Sequence, residues 1–460
     1  MSPDPTTARI DRKSIQSIVM RKVALRLVPF LMFAYFLNYL DRTNLSFAKL
    51  TMSAEIGLSE TMFGLSSGLF FLGYVLLEVP SNLALYRFGA RRWISRIMVS
   101  WGLVTMAMAF VNSPVSLSVL RFLLGVAEAG FFPGILLYLT FWFPRHVRVR
   151  LVGIFMLALP LSSAFGAPLS SAIIEYLDGA LGFSGWQLVF LLQGLPTVLL
   201  GIVTWFYLTD KPREAKWLNQ RERDWLEGTM AAEEHSVAES GHASMREGLK
   251  DVRVWGLGIV YFGLNYGMFA LAFFLPTIVG GLARSFSTDF TLMQTGLISA
   301  VPFLFGAMAM MLWARHSDLK QERIWHVAAP VILSGISVPT ALYMNSPLAT
   351  MAVISLTAIG IYSAFPVFWS LPPSFLTGKG AAAGIAVVNT IGATAGIVSP
   401  YITGWLLDMT GTSQLGLWLV GGFELLAAAV LLALAPRLRA SFKGGQVAEP
   451  KVKPSPLGRN

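Results

Sequence analysis

Asn38-Tyr39-Leu40-Asp41-Arg42-Thr43-Asn44 places an acid and a base side by side at the end of an apolar run, Leu27-Val-Pro-Phe-Leu-Met-Phe-Ala-Tyr-Phe-Leu37. A helix rises about 1.5 Å per residue, which sets Asp41 roughly 20 Å beyond Leu27. That is still inside a hydrocarbon layer about 30 Å thick. A charged side chain at such depth costs about 2.5–3.5 kcal/mol on insertion scales, and it persists where it faces a polar cavity and has work to do. The plainer reading is an ion pair that locks helices together. Either way, the stretch belongs to a membrane-crossing helix.

The rest of the chain agrees with that reading. Of its 460 residues 55% are hydrophobic and 13% charged, and mean hydropathy is +0.61; soluble domains carry about 25% charged residues. There is no cysteine, which excludes disulfides, thiol nucleophiles and Cys-ligated metals. The five histidines make no metal-binding spacing, and no Gly-rich phosphate loop precedes a Lys-Ser/Thr pair. Neither a metal nor another cofactor is therefore expected, and ATP-driven chemistry on this chain is not either.

Twelve apolar spans emerge, and the chain reads as an all-α integral membrane protein. With both termini on one side, 31 of the 35 Lys and Arg fall on the side of the termini, against Lys49 and Arg284 on the other, with Arg42 and Arg121 inside spans. The positive-inside rule then puts both termini in the cytoplasm. It also accounts for the net charge of +10 without nucleic acid, since no single domain holds the excess. Residues 1–22 lack an apolar segment followed by a cleavage site and read as a cytoplasmic tail, not a signal peptide.

Spans 1–6 occupy 23–208, and spans 7–12 occupy 254–435. Between them, residues 209–253 hold 8 basic and 10 acidic side chains and read as a cytoplasmic linker with short surface helices, one around Leu218–Leu226. Residues 436–460 form a second cytoplasmic tail. Spans 3 and 4 meet at Asn112-Ser-Pro114, and spans 9 and 10 at the matching Asn345-Ser-Pro347. Six spans, a charged linker and six more spans form the pattern of two parallel repeats, with a substrate site between them near the midplane.

This plan resembles the major facilitator superfamily. More narrowly, Asn38-Tyr-Leu-Asp-Arg-Thr-Asn-Leu-Ser-Phe-Ala48, Glu78-Val-Pro-Ser-Asn82, Arg121-Phe-Leu-Leu-Gly-Val-Ala-Glu-Ala-Gly-Phe-Phe-Pro-Gly134 and Phe141-Trp-Phe-Pro144 resemble its anion:cation symporter branch. The resemblance covers Lys22 to Ala435. It implies carriage of organic anions such as sugar acids, tartrate, phthalate and other carboxylates, often with protons. It also associates the acid and base of span 1, and the Arg and Glu of span 4, with coupling and anion binding. Two positions depart from the superfamily loop motif: Tyr86 stands where an Asp commonly precedes Arg-x-Gly, and Gln321 where a glycine is usual.

Arg121 and Glu128 lie seven residues apart, hence on one helix face about 10 Å apart along the axis. Span 4 starts outside and span 1 inside, so Asp41, Arg42, Arg121 and Glu128 fall within one band of the first half. A guanidinium stays charged at any physiological pH and offers a planar fork to a carboxylate, which suits Arg42 and Arg121 to a substrate anion. A carboxyl among such neighbours can take and lose a proton as its surroundings change, which makes Asp41 and Glu128 the proton-coupling candidates. Adjacent helical residues point about 100° apart, so one of Asp41 and Arg42 faces the cavity while the other meets a neighbouring helix. For Arg121 and Glu128 the plain alternative is an interhelical ion pair, which substrate could break.

Tyr39, Tyr74 and Asn389 are the further substrate-binding candidates, and Asn265 and Tyr266 are uncharged polar groups at mid-span. Glu78, next to Pro80, reads as structural, and Glu424 is a lone acid beside Gly421-Gly422 whose role stays open. The functional expectation is a monomeric secondary transporter of the plasma (inner) membrane that imports a small organic carboxylate by proton symport and has no enzymatic activity. Its alternatives are a proton-coupled exporter of a drug or metabolite, and a membrane receptor that binds the anion without moving it. Against the exporter, span 5 offers only Gly166-Ala-Pro168 where such carriers commonly show a longer glycine-proline pattern.

Overall fold

Among the described residues of this computed structural model, twelve helical stretches are long and apolar enough to cross a membrane. The structure describes residues 5–240, 249–285, 290–376 and 378–444. Residues 1–4, residues 241–248 of the central segment and the tail from 445 lie outside the described residues, as do the side chains of Arg145, Arg150, Arg284 and Lys379.

The first half comprises α1 (Pro5–Ile56), α2 (Glu60–Phe88), α3 (Ala90–Ala107), α4 (Pro114–Glu128), α5 (Phe131–Trp142), α6 (Arg145–Met156), α7 (Ala158–Tyr176) and α8 (Gly185–Tyr207). The helix α9 (Gln220–Ser240) belongs to the central segment. The second half comprises α10 (Val252–Ser285), α11 (Leu292–Lys320), α12 (Ile324–Thr340), α13 (Pro347–Phe368), α14 (Gly378–Thr410) and α15 (Gln414–Gly444). No strand occurs among the described residues. Backbone polar groups in a bilayer have no water to bond, and helices satisfy them internally.

The two Asn-Ser-Pro turns act in the same way. Ser113 accepts a hydrogen bond from the Ser116 N–H ahead of α4, Ser346 accepts one from the Ala349 N–H ahead of α13, and each is followed by Pro at the first helical position.

Two spans are interrupted where the sequence reads as continuous. Span 4 is built from α4 and α5, broken directly after Glu128 by Gly130 at φ 83°. That left-handed conformation favours glycine, and a Cβ there would also press on Ser81. Span 5 is built from α6 and α7, which meet at Leu157. The first helix is longer than its apolar run and starts at Pro5. At the loop after α11, Gln321 takes up φ 52°, the left-handed conformation that explains why a glycine is usual there.

The central segment docks on the first half. Lys22 pairs with Glu222 at 2.9 Å, the Arg26 guanidinium lies over the rings of Tyr207 and Trp217, and Trp217 stacks on Trp142.

The halves meet along α2 against α14 and α7 against α11. At the face opposite the termini this contact is polar and tight. Asp408 at the end of α14 accepts hydrogen bonds from Thr61 N (2.7 Å), Thr61 Oγ1 (2.6 Å) and Glu60 N (3.2 Å), so it caps the first turn of α2 from the other half. Lys49 pairs with Glu60 and donates to Thr277 Oγ1, and Glu175 accepts from Met293 N. Toward the face of the termini, Asn389 of α14 donates a hydrogen bond to Glu78 of α2. Losing a helix cap costs about 0.5–2 kcal/mol. Asp408→Ala is therefore expected to shift the carrier toward opening at this face by roughly two- to thirtyfold. Spin-label distances between the start of α2 and the end of α14 check this: an unchanged distance distribution would remove Asp408 from the clamp.

Candidate functional site

The candidate site begins on α1, where the seven-residue stretch splits its charges between two directions. Asp41 is fully buried and points into the first bundle: its Oδ2 accepts from Trp101 Nε1 of α3 at 2.7 Å and from Thr197 Oγ1 of α8 at 3.4 Å. Asn44, one turn on, donates to the other oxygen at 3.4 Å. Arg42 points the other way, and its side chain keeps 11% of its surface exposed. The rings of Tyr39, Phe70 and Tyr74 stand 5.0, 5.1 and 5.2 Å from its guanidinium carbon. Three π faces around one cation stabilise it without using its N–H groups.

Those groups engage Glu128. Its Oε2 accepts from Arg42 Nε at 3.1 Å and from Asn38 Nδ2 at 2.8 Å, with Arg42 Nη2 also at 3.1 Å. The Oε1 oxygen of the same carboxyl is buried with no hydrogen-bond partner. Glu128 is the last residue of α4, so the break at Gly130 lies immediately beside this ion pair.

Arg121, two turns earlier on α4, is fully buried, and none of its three guanidinium nitrogens has a hydrogen-bond partner. The Phe70 ring centroid is again close, 4.9 Å from the guanidinium carbon. One phenylalanine thus touches both arginines. The helices reach this proximity because α4 carries Gly125: a Cβ at that position would collide with the Phe70 carbonyl oxygen. A buried cation without hydrogen bonds is costly, and a carboxylate presented to it would satisfy two N–H groups at once.

The second half faces these residues with aromatic and amide groups. Tyr261 of α10 stacks on Phe368 at 5.1 Å and meets Trp369 edge-on at 4.9 Å, and buried Asn265 lies one turn along. Asn389 of α14 donates to Glu78 Oε1 of α2 at 3.2 Å. It is thus placed against an acid of the other half and not against the arginines. Among the described residues no group of three or more His, Cys, Asp or Glu is arranged to hold a metal.

The structure therefore brings Tyr39, Tyr74 and Glu128 around Arg42, sets Arg121 across the Phe70 ring from it and Asp41 on the other side of α1, and gives Asn389 a partner in Glu78. Asn38, Phe70, Trp101 and Thr197 complete the arrangement without having been singled out in the sequence. Asn38 stands within the opening stretch and falls one turn before Arg42, which is a usable signal. Phe70, Trp101 and Thr197 come from other helices and carry none.

Comparison with known proteins adds the following. Residues 31–400 match the family described as the Major Facilitator Superfamily. A protein of Agrobacterium vitis named "Putative tartrate transporter" is 46% identical over 434 residues, covering 94% of this chain and 98% of that protein. A "Quinolone resistance transporter" of Acinetobacter baumannii is 38% identical over 400 residues, covering 87% of this chain and 91% of that protein. Among solved structures, a bacterial homologue of the human lysosomal transporter Spinster, inward-facing and unoccupied, superposes with a TM-score of 0.68 at 16% identity, covering 92% of this chain and 97% of that one. That last likeness is one of fold.

Proposed function

This chain belongs to the major facilitator superfamily, and from that premise we propose that it imports a small organic carboxylate together with protons by alternating access. The observation that carries the reading is Arg121: a fully buried guanidinium with no hydrogen-bond partner, one phenyl ring away from a second arginine. Such a group is an anion site held open. The name of the Agrobacterium vitis relative points to the same substrate class, a hydroxylated dicarboxylate.

In the proposed cycle the face of the termini is cytoplasmic, as the distribution of Lys and Arg indicates. Substrate enters from the opposite side and its carboxylate takes the Arg121 fork. A proton on Glu128 removes the charge that holds Arg42, which then turns to the substrate as a second cation. Breaking a buried pair by removing one charge costs about 3–5 kcal/mol, and the incoming carboxylate offsets this by replacing Glu128 as partner. Asp41, held by Trp101 and Thr197 on the far side of α1, serves as the second proton carrier. Tyr39 and Tyr74 pack on the Arg42 guanidinium and present hydroxyls to a polyhydroxy acid. When the halves rock, protons leave to the cytoplasm, Glu128 recaptures Arg42, and the substrate is released. The carrier works as a monomer in the plasma membrane.

A second reading, export of a drug or metabolite in exchange for protons, is favoured by the name of the Acinetobacter baumannii relative. Proteoliposomes with an inward proton gradient, screened with labelled dicarboxylates, sugar acids and aromatic acids, separate the two. Gradient-dependent accumulation of one acid, lost when the gradient is collapsed, is the expected result. Efflux or exchange without accumulation of any acid would favour the exporter and return both arginines to a structural role.

A further inference from the structure

The second half contains a cavity of its own, apart from the arginine site. It measures about 540 Å³ and lies inside the bundle of α10, α12, α13, α14 and α15. The residues at its mouth, including Thr412 and Ser413 between α14 and α15, Gln414 at the start of α15 and Met344 between α12 and α13, belong to the face opposite the termini. Its inner end is lined by Gly267, Thr357, Thr403 and Val420.

Glu424 sits directly behind that inner end. It follows Val420 by one helical turn on α15, it is fully buried, and a Cβ on Gly267 would collide with its Oε1. Gly267, which lines the cavity, therefore lies directly against the carboxyl. Neither carboxyl oxygen meets a donor at good hydrogen-bond geometry; the Ser334 hydroxyl is the polar group that faces it, and the Tyr266 hydroxyl faces Thr403 on the cavity wall.

Among the described residues no cation pairs with this acid. Residues 254–282 of α10, 327–340 of α12 and all of α13 contain no Lys, Arg, His, Asp or Glu. The titratable side chains there are Tyr261 and Tyr266 on α10 and Tyr362 on α13. On α14 they are Lys379 at its start, Tyr401 and Asp408, the last bonded to Thr61 at the clamp, and on α15 Arg437, Arg439 and Lys443 at the opposite end. A packing role would be met by any apolar side chain, whereas an unpaired carboxylate in such surroundings costs several kcal/mol. Its presence behind a polar-ended cavity calls for a ligand that needs almost no room.

We propose that Glu424 is a second proton-binding site, served by water through the cavity of the C-terminal bundle from the face opposite the termini while the arginine site is sealed from that face by the clamp. A hydrated proton entering the cavity forms an O–H bond with the Glu424 carboxylate and leaves water behind; no other bond changes. Only the consequence for transport rests on the proton-coupled reading above, because a proton binds here whether or not substrate moves.

The native absence of cysteine makes the test direct. In the full-length protein, Thr403→Cys in right-side-out vesicles is expected to react with a membrane-impermeant thiol reagent, while Ala428→Cys, one turn beyond Glu424, stays unmodified. On purified wild-type protein without substrate, infrared difference spectra recorded from acidic to alkaline pH are expected to contain the carbonyl stretch of a protonated carboxylic acid that is lost in Glu424→Gln. Gly267→Ala, which presses on the same carboxyl, is expected to shift that band if it belongs to Glu424. Identical spectra for wild type and Glu424→Gln across the pH range, or Thr403→Cys labelled no faster than Ala428→Cys, would overturn the proposal. Failure of uptake under a proton gradient with the band intact would instead overturn the symport reading and leave the site standing.

Discussion

Arg121→Leu is expected to abolish anion binding and uptake while leaving the protein as stable as wild type or more so. The two effects diverge because of how Arg121 is built in. A residue kept for stability would spend its N–H groups on neighbours, but all three nitrogens of this guanidinium are buried without a partner, and its contact is the face of Phe70. Replacing buried charged groups with well-packed apolar side chains of similar volume is often neutral or stabilising by about 1–4 kcal/mol. Arg121→Lys sharpens the test. Lysine keeps the charge but loses the planar fork, so one of two parallel hydrogen bonds to the carboxylate disappears. A charge-assisted hydrogen bond is worth about 1.5–3 kcal/mol, which corresponds to roughly ten- to hundredfold in affinity. Binding calorimetry with the transported acid and thermal unfolding in the same detergent supply both readouts. Wild-type affinity in Arg121→Lys would remove the bidentate role, and a large drop in unfolding temperature for Arg121→Leu would make Arg121 a structural residue.

How far this site could be read beforehand depends on whether a relation lies within one helix or between two. The divergence of Asp41 and Arg42 follows from the 100° step between neighbours, and the structure shows one facing Trp101 and the other Glu128. The shared face of Arg121 and Glu128 follows from their seven-residue spacing, and both sit beside the same cluster. The twelve spans and the paired Asn-Ser-Pro turns follow from hydropathy and capping chemistry, which are local. The Glu78–Asn389 hydrogen bond joins residues 311 apart in different halves, so no periodicity could announce it. The Asp408 cap and the Phe70 ring between two arginines depend in the same way on how helices meet. The break after Glu128 is intermediate. Ala129-Gly130 carries the signal of a left-handed residue, but the apolar residues that follow, Phe131-Phe132-Pro133, continue the hydropathy of the span and conceal it.

Glu128→Gln is expected to separate proton coupling from substrate movement. The amide keeps the shape of the acid and still accepts from Asn38, which donates to Glu128 at 2.8 Å, so the break at Gly130 and the packing of α4 should persist. What it loses is the charge that holds Arg42 at 3.1 Å and the ability to exchange a proton. With one coupled proton, each unit of inward pH gradient contributes about 1.4 kcal/mol, or roughly tenfold accumulation. In Glu128→Gln that dependence should collapse to no accumulation, while exchange of labelled for unlabelled substrate across the membrane continues, because a carrier fixed in the proton-loaded form of this site still reorients with substrate bound. Arg42 released from its pair should also bind the anion more tightly at neutral pH than the wild type does. Counterflow and gradient-driven uptake measured on the same proteoliposomes give the two outcomes together. Retained accumulation would move coupling to Asp41 or Glu424, and loss of counterflow along with accumulation would make the Arg42–Glu128 pair a structural element of the transport cycle.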